Sequence, residues 1–172
     1  MYFLEEPFIS IRSFFEAGGN VLWAIFAVTM LMWTLIIERF WFFRAVLPRI
    51  IRSTIGEWDA RPEKLSWNAA KIREQMISEV SIESHRYISI VQVLMVLLPL
   101  LGLLGTVTGM IQVFNIMAIA GTSNARLMAG GVSAATIPTM AGLVAALSGL
   151  YLTSHLKKRA DGVVKGLNDV LC

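Results

Sequence analysis

The residues best placed to do chemistry in this chain are hydroxyls. Thr106, Thr108, Ser133, Thr136 and Thr139 lie in two long apolar segments that also hold Pro99 and Pro138. No Asp or Glu occurs between Glu83 and Asp161, and Arg126 is the one Lys or Arg between Arg86 and Lys157. A hydroxyl donates and accepts hydrogen bonds but holds no mobile charge near neutral pH. A polar path built from such groups therefore needs a titratable group from elsewhere, which points to a second subunit that brings a carboxylate. Each proline removes an intrahelical bond and frees a carbonyl. Inside a membrane that is tolerated where protein or a water-filled cavity satisfies the carbonyl. The competing arrangement has each hydroxyl bonded to a carbonyl of its own helix one turn back.

The helical period of 3.6 places Pro99, Gly102, Thr106, Gly109 and Val113 on one side of the first of these segments. It places Val132, Ala135, Thr136, Thr139, Gly142 and Ala146 on one side of the second. A hairpin symmetric about Thr122–Ser123 sets Thr106 level with Thr139, Gly109 with Thr136 and Pro99 with Ala146. The expected lining of a mid-membrane band is thus Thr106, Thr139, Thr136, Gly102, Gly109, Pro99, Val132 and Ala135. Gly105 and Gly109 form a GxxxG pair, and small residues at that spacing let membrane helices approach closely. Gly105, Gly109 and Gly142 are the expected packing positions.

The elements that must position these groups are membrane spans. The chain has 172 residues, 56% of them apolar. Its apolar residues are concentrated in three blocks, each long enough to cross a bilayer as a helix of about 20 residues. The expected fold is all-α: one integral membrane domain over 1–172 with three transmembrane helices, the second and third extended into the cytoplasm. Residues 1–19 carry Leu4, Phe8, Ile11 and Phe15 on one helical stripe, as an interfacial amphipathic helix would, and Gly18-Gly19-Asn20 ends it. The first span covers 21–43 and ends in the belt Glu38-Arg-Phe-Trp-Phe-Phe-Arg44. Its bulk and lack of glycine suit a lipid-facing outer helix. A polar region follows over 44–89, punctuated by Pro48 and Pro62. From Ser66 onward Ile72, Met76 and Val80 repeat every four residues, which predicts a helix running straight into the second span, 90–120. A turn at 121–126 leads to the third span, 127–153, and a basic tail at 154–172.

Orientation follows from the basic residues. The segment Arg44–Arg86 and the tail hold twelve Lys or Arg between them, against Arg12 and Arg126 on the other side. Positive residues mark the cytoplasmic side. The N-terminus and the turn are therefore expected outside, as three spans require, and Glu5 and Glu6 at the start are unlike a basic signal-peptide region. Cys172 is the only cysteine, and His85 and His155 stand outside the densest apolar runs. No metal, no cofactor and no nucleic-acid partner is expected. No nucleophile–base pair or phosphate-binding glycine loop is present, so the chain is not expected to be an enzyme. One hairpin cannot enclose a cavity, so the band requires cyclic self-association.

Leu100-Leu-Gly-Leu-Leu-Gly-Thr-Val-Thr-Gly109, together with Gly131 to Ala146 carrying Thr139 and Gly142-Leu143, resembles the ExbB/TolQ/MotA proton-channel family. The Leu-Gly-Thr-Val-x-Gly form is closer to ExbB and TolQ than to MotA. The resemblance covers the second and third spans, about a third of the chain. It implies a ring, a pentamer in the family, around two transmembrane helices of an ExbD-type partner whose aspartate carries the proton. Motion would pass to TonB, which energises outer-membrane uptake of iron chelates and vitamin B12 from the bacterial inner membrane. A TolQ-like subunit serving envelope integrity and a non-conducting membrane scaffold are the alternatives. Thr106 and Thr139 match the family's two pore threonines. The partner's aspartate, when neutral, would turn past the apolar wall; when ionised, it would seek Thr106, Thr139 and water. Where family members often carry a glutamate five residues before the third-span threonine, this chain has Ala134.

Overall fold

The computed structural model describes residues 5–64, 66–120 and 125–171, with side chains described from residue 19 to 171 except at 65 and 120–127. The side-chain stripe Leu4, Phe8, Ile11 and Phe15 and the turn at 121–124 lie outside what is described. Among the described residues the structure is all-helical: α1 (Glu5–Trp41), a π-helical turn (Phe42–Val46), α2 (Leu47–Asp59), α3 (Trp67–His85), α4 (Ile88–Ala120) and α5 (Ala125–Val170). Among the described residues, three helical stretches are long and apolar enough to cross a membrane. This is a multi-pass membrane protein.

The residues group into two compact units. The first combines Met1–Met32 with Val93–Gly149. Within it Gly19 takes φ 63°, a left-handed conformation that glycine adopts without penalty, and so kinks α1. Beyond the kink Leu22, Ile25 and Met32 turn inward, whereas Trp23, Phe26, Met30 and Leu31 are exposed, as lipid-facing residues would be. α4 and α5 pack through their small residues: Gly102, Gly105, Gly142 and Gly149 are all buried.

The second unit combines Trp33–Gln92 with Leu150–Cys172. Its core is apolar, with Phe42, Leu47, Trp58, Ala69, Val80, Leu167 and Leu171 buried together. α2 presents Leu47, Ile51, Ile55 and Trp58 at helical spacing to that core. Ser66 caps α3, its hydroxyl accepting from the Ala69 amide at 3.2 Å. His85, at the end of α3, lies 2.9 Å from the Ser81 carbonyl and 2.9 Å from the Asp161 carboxylate on α5.

One expectation fails here. The helix that starts at Ser66 does not run straight into the second span. It stops at His85, and Tyr87 takes φ 64° before α4 starts at Ile88. A non-glycine residue in that region costs roughly 1–2 kcal/mol. A buried arginine supports the break. Arg39 donates to the Glu83 carbonyl at 2.9 Å, one of the carbonyls that the end of α3 leaves without a helical partner. Its guanidinium carbon lies 4.9 Å from the centre of the Tyr87 ring and 4.5 Å from that of Phe42, and Arg86 also lies over Tyr87 at 5.1 Å.

Candidate functional site

The site is built where α4 meets α5. Each close approach is set by a glycine on one of the two helices. A Cβ added at Gly102 would stand 2.9 Å from the Thr139 Cα, and at Gly105 2.5 Å from the Pro138 Cβ. At Gly109 it would stand 2.7 Å from the Ala135 Cβ, and at Gly142 2.6 Å from the Leu98 carbonyl oxygen. At Gly131 it would overlap Val113. Gly102, Gly105, Gly109 and Gly142 are therefore helix contacts, and Ala135, buried against Gly109, is one too. Val132 and Thr136 are exposed instead, and Pro99 and Thr106 are partly covered.

These contacts also fix the register. A hairpin mirrored about Thr122–Ser123 would set Gly109 beside Thr136 and Thr106 beside Thr139. Gly109 instead meets Ala135, and Thr139 meets Gly102, one helical turn from Thr106. The symmetric pairing is thus corrected by one to five residues. The physical reason is that closest approach is dictated by where glycines face Pro138 and Ala135, not by the midpoint of the turn.

The hydroxyls divide into two kinds. Thr106 donates to the Leu103 carbonyl at 2.7 Å, Thr108 to Leu104 at 2.9 Å and Thr136 to Ser133 at 2.8 Å. All three bonds stay within their own helix, the arrangement that competed with a shared band. Thr139 instead crosses, donating to the Gly102 carbonyl of α4 at 2.8 Å. A carbonyl can only accept, so the hydrogens of Thr106 and Thr139 are both committed. What each hydroxyl has left to offer is a lone pair.

Beside the pair is a cleft of about 450 Å³, where the polar Asn20, Thr108 and Gln112 stand among glycines, Ala134, Ala135 and the apolar Val21, Val113, Ile116 and Pro138. It is polar and roomy enough to hold water. Asn20 and Gln112 are functional candidates that the spacing of the hydroxyls does not reveal. The signal for Gln112 is its place four residues after Thr108, on the same face of α4. Ala134 opens onto this cleft.

Residues 44–169 match the family described as the MotA/TolQ/ExbB proton channel family. The matched stretch takes in all of α2, α3 and α4 and nearly all of α5. No curated protein matches the chain.

Proposed function

From the premise that the chain belongs to the MotA/TolQ/ExbB proton channel family, we propose that it is the ExbB-type wall of an inner-membrane motor. In this reading copies of the chain, five as in the family, form a ring around an ExbD-type partner. The ring uses the proton gradient to energise TonB-dependent uptake across the outer membrane. The basic residues of 44–86 and 157–165 face the cytoplasm. The observation that carries the reading is a helix pair with hydroxyls and a polar cleft but no carboxylate from residue 84 to 160. Such a wall offers places for a proton-bearing group to rest and none for the proton itself.

The committed hydrogens refine the coupling. Thr106 and Thr139 can accept from a protonated carboxyl or from water. They donate to an ionised carboxylate only after turning away from their carbonyls. The neutral form of the partner's aspartate therefore gains a hydrogen bond at these positions, and the ionised form is held by water. This reverses the preference that the threonines alone suggest. The charge is still the costly species at mid-membrane, by at least about 2.5 kcal/mol at the helix centre.

The test is a flux assay in proteoliposomes with a pH-sensitive dye. It compares the ring alone, the ring with its partner, and the ring with a partner whose aspartate is changed to asparagine. Only the second is expected to conduct, and substantial flux through the ring alone would overturn the division of labour. Thr106→Val and Thr139→Val are expected to lower partner-dependent flux severalfold. Thr139→Val should also lower the melting temperature by a few degrees, because it removes a bond between helices worth about 1 kcal/mol. Thr106→Val, which removes a bond within one turn, should leave melting nearly unchanged. Wild-type flux in both variants would remove the threonines from the mechanism. Restored growth on iron chelates separates the ExbB role from the TolQ role.

A further inference from the structure

At the basic end of the spans, a cavity of about 520 Å³ lies between the π-helical turn with α2 and the C-terminal part of α5. Phe43, Leu47, Ile51 and Val163 give it apolar walls, and Arg52 and Arg159 line it as well. Both arginines are exposed, and among the described residues neither has an ion pair or hydrogen bond. No acidic residue lines the cavity. Trp41 and Phe40, immediately before it in the chain, are 70% and 53% exposed, as residues at a membrane–water boundary are.

We infer that this cavity is a binding site for an anionic phospholipid, with the headgroup phosphate held between Arg52 and Arg159 and an acyl segment against Phe43, Leu47, Ile51 and Val163. Two properties have to be met together. The unpaired guanidiniums call for an oxyanion, whose oxygens the planar fork matches. The apolar walls at the level of the aromatic belt call for a hydrocarbon chain, which a soluble phosphate lacks. A phospholipid of the adjoining leaflet supplies both. A volume of about 520 Å³ lies within the usual range of small-ligand sites. Basic pockets beside membrane helices bind anionic headgroups by the same physics.

The experiment titrates the full chain, purified in detergent, with phosphatidylglycerol or with phosphatidylcholine of the same acyl chains, and reads lipid adducts by native mass spectrometry. Phosphatidylglycerol is expected to bind more tightly. Arg52→Gln with Arg159→Gln should weaken it about 30-fold, which corresponds to ~1 kcal/mol for each basic group near an anionic surface. Gly162→Leu supplies an arm that changes no charge. Gly162 lines the cavity, and a Cβ there meets nothing within 4 Å, so the longer side chain obstructs the slot without disturbing the helix. It too should weaken phosphatidylglycerol, by severalfold. Arg44→Gln with Arg49→Gln removes equal charge from residues that do not line the cavity and should leave binding nearly intact. Equal binding of the two lipids would overturn the proposal. So would an equal loss in the two double variants, which would mean diffuse surface attraction, or unaltered binding by Gly162→Leu. Displacement of the lipid by inorganic phosphate at matched concentration would also overturn it, since it would reveal a site for the anion alone.

Discussion

Leucine in place of Gly142 is expected to keep α4 and α5 from closing on each other. The atoms that a Cβ at Gly142 would meet are backbone: the Leu98 carbonyl oxygen at 2.6 Å, the Leu98 carbonyl carbon at 3.3 Å and the Gly102 Cα at 3.4 Å. A flexible side chain could swing aside, but a helix backbone cannot. The helices would have to separate, and the packing that replaces hydrophobic drive in a membrane would be lost with them. Overpacking a well-fitted interior costs roughly 1–3 kcal/mol, occasionally more. With backbone on the far side, Gly142→Leu should reach at least the upper end. Even alanine at Gly142 or Gly105 should be felt, since one methyl group already intrudes. Gly130 is the control, because nothing lies within 4 Å of a Cβ built there. Gly130→Ala should be neutral or slightly stabilising, in line with helix propensity. The measurement is yield of monodisperse protein by size-exclusion chromatography, with a thermal melt in detergent. Normal yield and melting for Gly142→Leu would show that this contact does not hold the pair together.

The second large effect belongs to Arg39, which is 2% exposed. Its Nε and Nη2 donate to the two Glu38 carboxylate oxygens at 2.8 and 3.2 Å, and its Nη1 donates to the Glu83 carbonyl at 2.9 Å. The flat guanidinium meanwhile covers parts of Phe42 and Tyr87. Lysine keeps the charge but has neither fork nor flat face. Arg39→Lys is therefore expected to cost about 2–4 kcal/mol, by leaving the Glu83 carbonyl unpaired, opening a void against the two rings and withdrawing support from the left-handed Tyr87. A melting temperature lower by about 10 °C is the expected reading for a chain of this size. Glu38 is 44% exposed, so Glu38→Gln should cost much less. If Arg39→Lys melts like the wild type, charge alone is sufficient and the geometry around Tyr87 is incidental.

Much of this fold is legible in the sequence because the bilayer leaves a chain few options. Blocks of apolar residues without charge have to be helices there. The kink at Gly19 and the start of α3 at Ser66 are local signals, a glycine free to take positive φ and a hydroxyl free to cap. The stripe Leu47, Ile51, Ile55 and Trp58 in α2 also follows the helical period, although charged neighbours obscure it. The break at Tyr87 has no such signal. Tyrosine does not favour left-handed backbone, and the group that supports it, Arg39, is far away in sequence. The register of α4 on α5 is illegible for a similar reason. Sequence gives the faces of both helices but not the point of closest approach, which depends on Pro138 and Ala135 entering the spaces that Gly105 and Gly109 leave. The motif threonines were findable from their spacing, whereas which one reaches across the pair depended on that register.

The glycine contacts have a mechanical consequence. Two helices held apart by leucines meet through a layer of rotamers that can shear and recover. Between α4 and α5 the layer is nearly absent: Gly102 faces the Cα of Thr139, and Gly142 faces the carbonyl of Leu98. With no soft layer to compress, the pair behaves as a single stiff stave. Small displacements in it would drive backbone into backbone, so it can take up little elastic energy internally. In the proposed motor, whatever work accompanies a proton's passage along such a wall has to emerge as movement of whole staves, or of another chain against them.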